Sequence, residues 1–239
     1  MSRSVVILSG GLGTRLKPFT EVIPKPLLPI GDKAVLEIQI ERLKKYGFNN
    51  IFLATNYRSN YIENFFGDGS RYGVHLEVSK ENQPLGTAGP VRLLQNKLSD
   101  PFIVMNGDIL SLVNFENLYK FACSKESLLT VSIKKIITPY AFGNILFNGD
   151  FVTSVEEKPD IITYALAGIY VMKPEIMDLI PTDQYFGMDM LIKKMLSLNL
   201  PIVKYEHKEY WLDIGQLQDY EKAQKIYEDY FVEDCKNGL

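Results

Sequence analysis

The chain has 239 residues, of which 46% are hydrophobic and 23% are charged, as in an ordinary globular protein rather than a disordered or fibrous one. Its formal net charge of −3 provides no overall positive field, which argues against nucleic acid and against an anionic membrane as partners. A polyanionic ligand would therefore have to be held by a local cluster of lysine and arginine side chains.

The cysteines and the N-terminal residues predict a soluble, cytoplasmic protein. Cys123 and Cys235 lie far apart in sequence, and this pattern indicates neither a disulfide framework nor a CxxC metal site. The apolar run before the first glycines is too short for a signal peptide or a membrane span. Cys123 lies in a helical pattern and is expected to be a small buried hydrophobe. His75 and His207 fit no motif and are expected to be structural or surface residues.

In the first half of the chain, short apolar strands alternate with helices. The β-branched run 4–9 predicts a buried strand that leads into a glycine-rich turn at Gly10. A long, proline-rich ordered loop follows over 10–31, and then a capped helix over 34–46. This alternation predicts a parallel, Rossmann-like sheet whose ligands lie beyond the carboxyl ends of its strands. The other elements predicted in this half are strands over 50–54, 73–79 and 101–105 and helices over 59–66 and 88–95.

The second half of the chain has a different pattern and predicts a mixed, partly antiparallel sheet. Asn148 and Gly149 form a plausible hairpin turn between two of its strands. Neither an internal repeat nor a linker interrupts the chain, which therefore predicts one α/β domain over 1–239. The predicted elements are strands over 128–134, 141–147, 151–156, 164–172 and 201–205 and helices over 187–198 and 216–230.

The loop after the first strand combines glycines, cations and prolines. Gly10, Gly11 and Gly13 allow the backbone to approach a ligand closely and to point several N–H groups at it. Arg15 and Lys25 add two positive charges, so the loop has the donors and cations that a triphosphate requires. A short glycine motif alone is more often a simple turn, and this one is neither a Walker A loop nor a dinucleotide fingerprint.

The longer pattern resembles the sugar-1-phosphate nucleotidylyltransferase family. The run GGLGTRLKP at 10–18 is followed by PKPLLP at 24–29, as in that family's signature. The resemblance continues in order through most of the chain, over about 4–225. Its further segments are ENQPLGTAG at 81–89, NGD at 106–108, FG at 142–143, EEKP at 156–159, AGIY at 167–170 and WLDIG at 211–215.

This resemblance implies a fold, a reaction and a cofactor. The family's fold is a Rossmann-like α/β/α sandwich, with nucleotide binding over about 1–110 and sugar-phosphate binding over about 111–239. The implied reaction joins a sugar-1-phosphate to a nucleoside triphosphate by attack on the α-phosphate, and it releases pyrophosphate. Mg²⁺ is the implied cofactor, with Asp108 and Asp213 as its ligands, although an NGD segment alone is more often a turn and Asp213 could instead cap a following helix.

The same resemblance implies roles for further residues, while their simpler interpretation is that of turn or surface residues. Arg15 and Lys25 are the implied catalytic cations. The residues implied for the nucleotide are Leu8, Gly10, Gly11, Gly13, Thr14, Gln83, Gly86 and Thr87. Those implied for the sugar-phosphate are Asn106, Gly143, Glu157, Lys158, Ala167 and Gly168.

The identity of the substrates stays open. Lys25-Pro26 and the segment 86–89 are more similar to guanylyltransferases of the mannose- or heptose-1-phosphate type, which favours GTP, but UTP, CTP and dTTP remain alternatives. A non-sugar phosphate acceptor is a second alternative, and a regulatory module that binds nucleotide-sugars without turnover is a third. A homodimer is a further possibility.

Overall fold

The computed structural model describes residues 3–56 and 58–232, and Cys235 lies outside these ranges. The helices there include α1 (Val35–Lys45), α2 (Ser59–Phe66), α3 (Gly89–Arg92), α4 (Phe115–Cys123), α5 (Met188–Ser197) and α6 (Leu217–Tyr227). The strands of the first half are β1 (Ser4–Leu8), β2 (Pro29–Ile30), β3 (Lys33–Ala34), β4 (Asn50–Thr55), β5 (His75–Lys80), β6 (Phe102–Asn106) and β7 (Ile109–Ser111). Those of the second half are β8 (Leu129–Pro139), β9 (Asn144–Asn148), β10 (Phe151–Glu156), β11 (Asp160–Met172), β12 (Ile202–Glu206) and β13 (Trp211–Asp213).

A seven-stranded sheet forms the centre of the described chain, in the order β12-β8-β11-β6-β1-β4-β5. The four strands β6, β1, β4 and β5 run parallel to one another. β11 is antiparallel to both of its neighbours, β6 and β8, while β12 is parallel to β8. The predictions of a Rossmann-like, mostly parallel sheet and of a mixed second half are therefore confirmed.

The sheet is covered on both faces because apolar side chains of its central strands point to both sides. Val5 and Ile7 of β1 pack into one cluster with the apolar side chains of α1, α2 and α4. Val6 points to the opposite face and packs with α3 and α5. A third cluster joins the proline-rich loop to α1 and to the C-terminal helix through Leu16, Ile38 and Tyr227 and their neighbours.

Two of the central strands extend beyond the body of the protein. β8 and β11 stay paired from Ile133–Leu166 out to Pro139–Asp160, and the hairpin of β9 and β10 lies between them in sequence. We call residues 134–166 the arm, and nearly all of its side chains are exposed or only partly covered. The predicted turn at Asn148 and Gly149 joins β9 to β10, with Gly149 in the left-handed region at φ 56°.

Some details differ from the sequence predictions. Cys123 is exposed, because Ala122 and Leu118 take the buried face of α4. His207 is buried and His75 is exposed, so one is structural and the other a surface residue. Every helix within the described ranges is too short or too polar to span a lipid bilayer.

Candidate active site

The glycine-rich loop is an ordered segment that presents Lys25 and Arg15 to the edge of the sheet. It consists of three short 3-10 turns rather than a helix, as its prolines predict. Thr20 donates a hydrogen bond from its hydroxyl to the backbone oxygen of Gly13 (2.8 Å). Leu16 is fully buried in the third cluster and anchors the middle of the loop.

Asp108 lies in a tight turn between β6 and β7. The backbone N–H of Gly107 donates to the backbone oxygen of Leu8 at the end of β1 (2.9 Å). A Cβ at Gly107 would lie 2.9 Å from that same oxygen, so only glycine allows the turn to approach β1 this closely. The Lys25 ammonium forms an ion pair with Oδ2 of Asp108, which joins the loop to the turn.

Asp213 meets Asp108 through a short strand pairing. β13 pairs with β7 in an antiparallel manner, with Asp213 opposite Ile109. The backbone N–H of Ile214 donates to the backbone oxygen of Asp108 (3.0 Å). The two aspartates, far apart in sequence, are thus brought to one place by backbone hydrogen bonds. The helix after Asp213 has its own cap, because Asp219 accepts from the N–H of Gln216 (3.2 Å).

The electrostatics of Asp213 show that all four charged residues share one environment. Burial raises the pKa of the Asp213 carboxyl above its ordinary value, and the negative charge of Asp108 raises it further. The positive charges of Lys25 and Arg15 act on this pKa in the opposite direction. The guanidinium of Arg15 also lies beside Gly215, directly after this strand.

Arg15, Lys25 and Asp108 line a cleft with two connected lobes, whereas Asp213 is not among its lining residues. The first lobe, of about 230 Å³, includes the loop residues Gly11, Gly13 and Thr14 together with Arg15, Lys25 and Asp108. The second lobe, of about 400 Å³, includes Gly10, Glu81, Gly86, Thr87 and Asn106. Both lobes are lined by Leu8, Gly11 and Asp108, so a ligand as long as a nucleotide can occupy the two together.

The second lobe contains a half-buried carboxylate, Glu81, which the sequence interpretation left without a role. Its Oε2 accepts from the backbone N–H of Leu85 (3.0 Å), and burial raises the pKa of its carboxyl. A Cβ at Gly10 would lie 2.9 Å from its Oε1, so glycine at position 10 leaves room for this carboxylate. Gln83 does not line either lobe, and its side-chain amide donates to the backbone oxygen of Asp183 (2.7 Å).

The residues expected to bind the sugar-phosphate are divided between the cleft and the arm. Asn106 lines the second lobe, and Gly168 lies against its side chain in an irregular stretch of β11. Ala167 is buried, and its backbone oxygen accepts from the indole N–H of Trp211 (2.8 Å). Gly143, Glu157 and Lys158 lie on the arm, where they are exposed and line neither lobe.

The two aspartates have the properties of a site for a divalent cation. Their Oδ1 atoms are buried and have no hydrogen-bond partner among the residues that the structure describes. Mg²⁺ is usually bound through one or two carboxylates, with waters and substrate phosphates as its other ligands. The described ranges bring no third histidine, cysteine, aspartate or glutamate to this pair, so the protein itself would supply two ligands. The residues present therefore fit Mg²⁺.

Comparisons with known proteins agree with this geometry. The family described as nucleotidyl transferase matches residues 4–230. The probable mannose-1-phosphate guanylyltransferase 2 of Oryza sativa subsp. japonica is 36% identical, over 98% of this chain and 67% of that protein. The catalytic subunit beta of mannose-1-phosphate guanylyltransferase from Xenopus tropicalis is 32% identical, over 90% of this chain and 62% of that one. This chain thus spans about two thirds of the length of these curated relatives.

Solved structures show the same fold. HddC from Yersinia pseudotuberculosis complexed with GMP-PN is 29% identical, with a TM-score of 0.72 over 94% of this chain and 99% of that one. A putative glucose-1-phosphate thymidylyltransferase from Bacillus anthracis has a TM-score of 0.78 over 95% of this chain and 96% of that one. Because its sequence is only 22% identical, its similarity to this chain concerns the fold alone.

Proposed function

Because the chain belongs to the nucleotidyl transferase family, we propose that it condenses a sugar-1-phosphate with a nucleoside triphosphate, with GTP as the preferred nucleotide. The products are a nucleoside diphosphate sugar and pyrophosphate. One observation carries this proposal: Arg15, Lys25 and Asp108 line one cleft, and Asp213, from a distant part of the chain, lies close enough for the charges of all three to act on its carboxyl.

The reaction is an in-line substitution at the α-phosphorus. An oxygen of the sugar-phosphate forms the new bond to that phosphorus, while the bond to the β-phosphate bridging oxygen breaks and pyrophosphate leaves with the electron pair. The second pKa of a phosphate is about 6, so the attacking oxygen is largely ionised at neutral pH and needs no general base. The enzyme has to bring two polyanions together and to stabilise the charge that develops on the leaving group.

The cations of the loop supply this stabilisation. Lys25 lies beside Asp108 at the junction of the two lobes and would contact the reacting phosphate. Arg15 lines the first lobe and would hold the pyrophosphate with its forked donors. The backbone N–H groups around Gly11 and Gly13 would add donors that carry no net charge. Fixed donors of this kind need little reorganisation during the reaction, which is why an ordered loop suits the task.

Asp108 and Asp213 would hold Mg²⁺. When it is bound, the cation neutralises phosphate charge and orients the phosphate oxygens. The unpaired Oδ1 atoms of the two carboxylates support this assignment, as does the repulsion between the carboxylates that contributes to the raised pKa of Asp213.

The second lobe supports GTP as the nucleotide. Guanine presents two adjacent donors, N1–H and the N2 amino group, whereas uracil and thymine present one N–H between two carbonyl oxygens. A carboxylate has two acceptor oxygens and can bind both guanine donors at once. Asp108 and Glu81 are the carboxylates that line this lobe; Asp108 also lines the first lobe, and we therefore assign Glu81 to the guanine edge. The similarity to mannose-1-phosphate guanylyltransferases also supports guanine as the base.

The second substrate is a sugar-1-phosphate in this proposal. Asn106 and Gly168 lie beside the cleft, and Gly143, Glu157 and Lys158 on the arm would contact the sugar and its phosphate. Gly143 and Glu157 are neighbours, since a Cβ at Gly143 would lie 3.3 Å from Oε2 of Glu157. The nucleotide part of the domain would then cover about 1–110, and the sugar-phosphate part about 111–239.

A substrate matrix tests the proposal. Pyrophosphate release is measured for ATP, GTP, CTP, UTP and dTTP against mannose-, glucose- and heptose-1-phosphates, with phosphocholine as a non-sugar acceptor. The proposal requires Mg²⁺-dependent release with GTP and at least one sugar-1-phosphate. Release with phosphocholine alone would favour the non-sugar alternative. Tight nucleotide binding by calorimetry without turnover in any pair would favour a regulatory module.

A further inference from the structure

A buried side chain of α1, Gln39, supports the turn that carries Asp108. Gln39 is 3% exposed, and its Nε2 donates to the backbone oxygens of Ile109 (2.7 Å) and Asn106 (3.1 Å). Both partners are carbonyl acceptors, so the nitrogen of the amide, and not its oxygen, must face them. These acceptors lie on either side of the Gly107–Asp108 step. A single side chain therefore spans the turn.

Gln39 reaches the turn from a different direction than the strands do. The strand contacts come from β1, through Leu8, and from the end of β13, through Ile214. Gln39 comes from the helix layer and packs beneath the turn, so that the turn is held from three sides. This arrangement limits the movements open to the Asp108 backbone and hence to its carboxylate.

Within the described part of the chain, the buried amide of Gln39 is satisfied on its nitrogen but not on its oxygen. Its Oε1 is buried and has no hydrogen-bond partner within the described ranges. A buried polar atom without a partner destabilises the fold, and an apolar side chain of the same shape would avoid that loss. What the amide contributes, and an apolar side chain could not, is the pair of hydrogen bonds to the turn.

We propose that Gln39 is a positioning residue that fixes Asp108 for the divalent cation and thereby sets the cation affinity. The inference rests on the proposed function, because it requires Asp108 and Asp213 to hold the cation. Groups that orient metal ligands through hydrogen bonds typically change metal affinity about 10- to 100-fold when they are removed. Loss of the two bonds would let the turn relax, and cation binding would then have to order it again.

The test replaces Gln39 with methionine, which has a similar length but donates no hydrogen bond. Binding of Mn²⁺ to the substrate-free protein is followed by the loss of the free-ion EPR signal. We expect Q39M to bind Mn²⁺ about 10- to 100-fold more weakly than the wild type. The Mg²⁺ concentration for half-maximal turnover should rise in parallel, while GTP binding in EDTA stays unchanged. Gln39→Asn cannot span both carbonyls and should show the same direction if the methionine variant folds poorly.

Ile40→Val is the matched control. Ile40 is the next residue of α1, is fully buried in the first core cluster, and lies among apolar side chains rather than at the turn. This variant should lower the unfolding temperature and leave Mn²⁺ affinity unchanged. Equal weakening of Mn²⁺ binding in both variants would refute the inference, because the effect would then be general destabilisation.

Asp213→Asn distinguishes a failure of the role inferred for Gln39 from a failure of the proposed metal site. If this variant loses Mn²⁺ binding while Q39M keeps the wild-type affinity, the role of Gln39 is refuted and the proposed metal site stands. If the wild type binds Mn²⁺ and Asp213→Asn changes nothing, the metal site itself is refuted, and the inference fails with it.

Discussion

Replacement of Glu81 by glutamine tests how the cleft selects its base. Glutamine keeps one acceptor oxygen, which can still accept from the N–H of Leu85, but its amide nitrogen would face the donors of guanine. A bidentate contact of this kind contributes about 1–3 kcal/mol to discrimination between bases. At about 1.4 kcal/mol per factor of ten, kcat/KM for GTP should fall about 5- to 140-fold.

The assay is pyrophosphate release with GTP and UTP in parallel, at a fixed concentration of the best sugar-1-phosphate. The value for UTP should change by less than about threefold, because uracil offers only one donor to lose. Glu77→Gln is the control, since Glu77 lies on β5, the strand that Glu81 directly follows, is ion-paired with Lys97 and does not line the cleft. An equal loss with GTP and UTP would show that Glu81 merely holds its loop, and an unchanged GTP preference would refute the assignment.

Three further changes address the cations, the carboxylates and the buried histidine. Asp108→Asn should reduce turnover at least about 100-fold, measured by pyrophosphate release, because the carboxylate acts on transition-state charge through the cation. Lys25→Ala should be severely impaired in the same assay yet remain folded, with a cooperative thermal unfolding transition, because Lys25 lies on a loop. Burial, assisted by Lys134, lowers the pKa of His207, so the unfolded chain binds more protons below about pH 6.5 and stability should fall as the pH drops. Unfolding temperatures at about pH 7.5 and about pH 5.5 should therefore differ more in the wild type than in His207→Gln.

The first two of these changes each have a control that carries the same kind of change. Asp150→Asn alters an exposed aspartate in the arm hairpin and should leave turnover intact. Lys17→Ala removes an exposed lysine of the same loop, paired with Glu21 at 3.2 Å, and should be far milder than Lys25→Ala. Near-normal turnover in Asp108→Asn would remove the metal assignment. An acid response of His207→Gln equal to that of the wild type would assign the loss of stability to other groups.

The regular elements of the fold could be predicted because their signals are local. β1, β4 and β6 are mostly apolar runs bounded by loop residues, β5 alternates polar and apolar residues over most of its length, and α1 shows helical spacing between caps. β7 and β13 gave no such signal, because each has three residues and is defined by the partner it pairs with. That pairing brings Asp213 close to Asp108. The proximity of the two aspartates could therefore be expected from the family resemblance but not from the spacing of the residues.

The arm shows a second feature that local sequence patterns could not predict, namely the length of its strands. The two long strands β8 and β11 were predicted too short at their outer ends, because the alternation of side chains does not say how far a pair extends beyond the core. Both faces of the arm are largely exposed, so burial does not fix their pattern. Glu157 and Lys158 lie on this arm, and their contact with the sugar-phosphate stays a prediction of the resemblance.

Glu81 could have been found from topology rather than from motif. The parallel strands β6, β1, β4 and β5 are neighbours, and their carboxyl ends meet at one edge of the sheet, where ligands bind in such folds. The polar residues that follow these ends are Asp108, Ser9, Asn56 and Glu81, and all four line the cleft. Gln83 lies two residues farther along the turn, where its amide reaches Asp183 instead. A position directly after a strand end is thus the better guide to the second lobe. At Glu81 the chain is still held by the sheet, because the backbone N–H of Glu81 donates to the oxygen of Thr55 (2.8 Å).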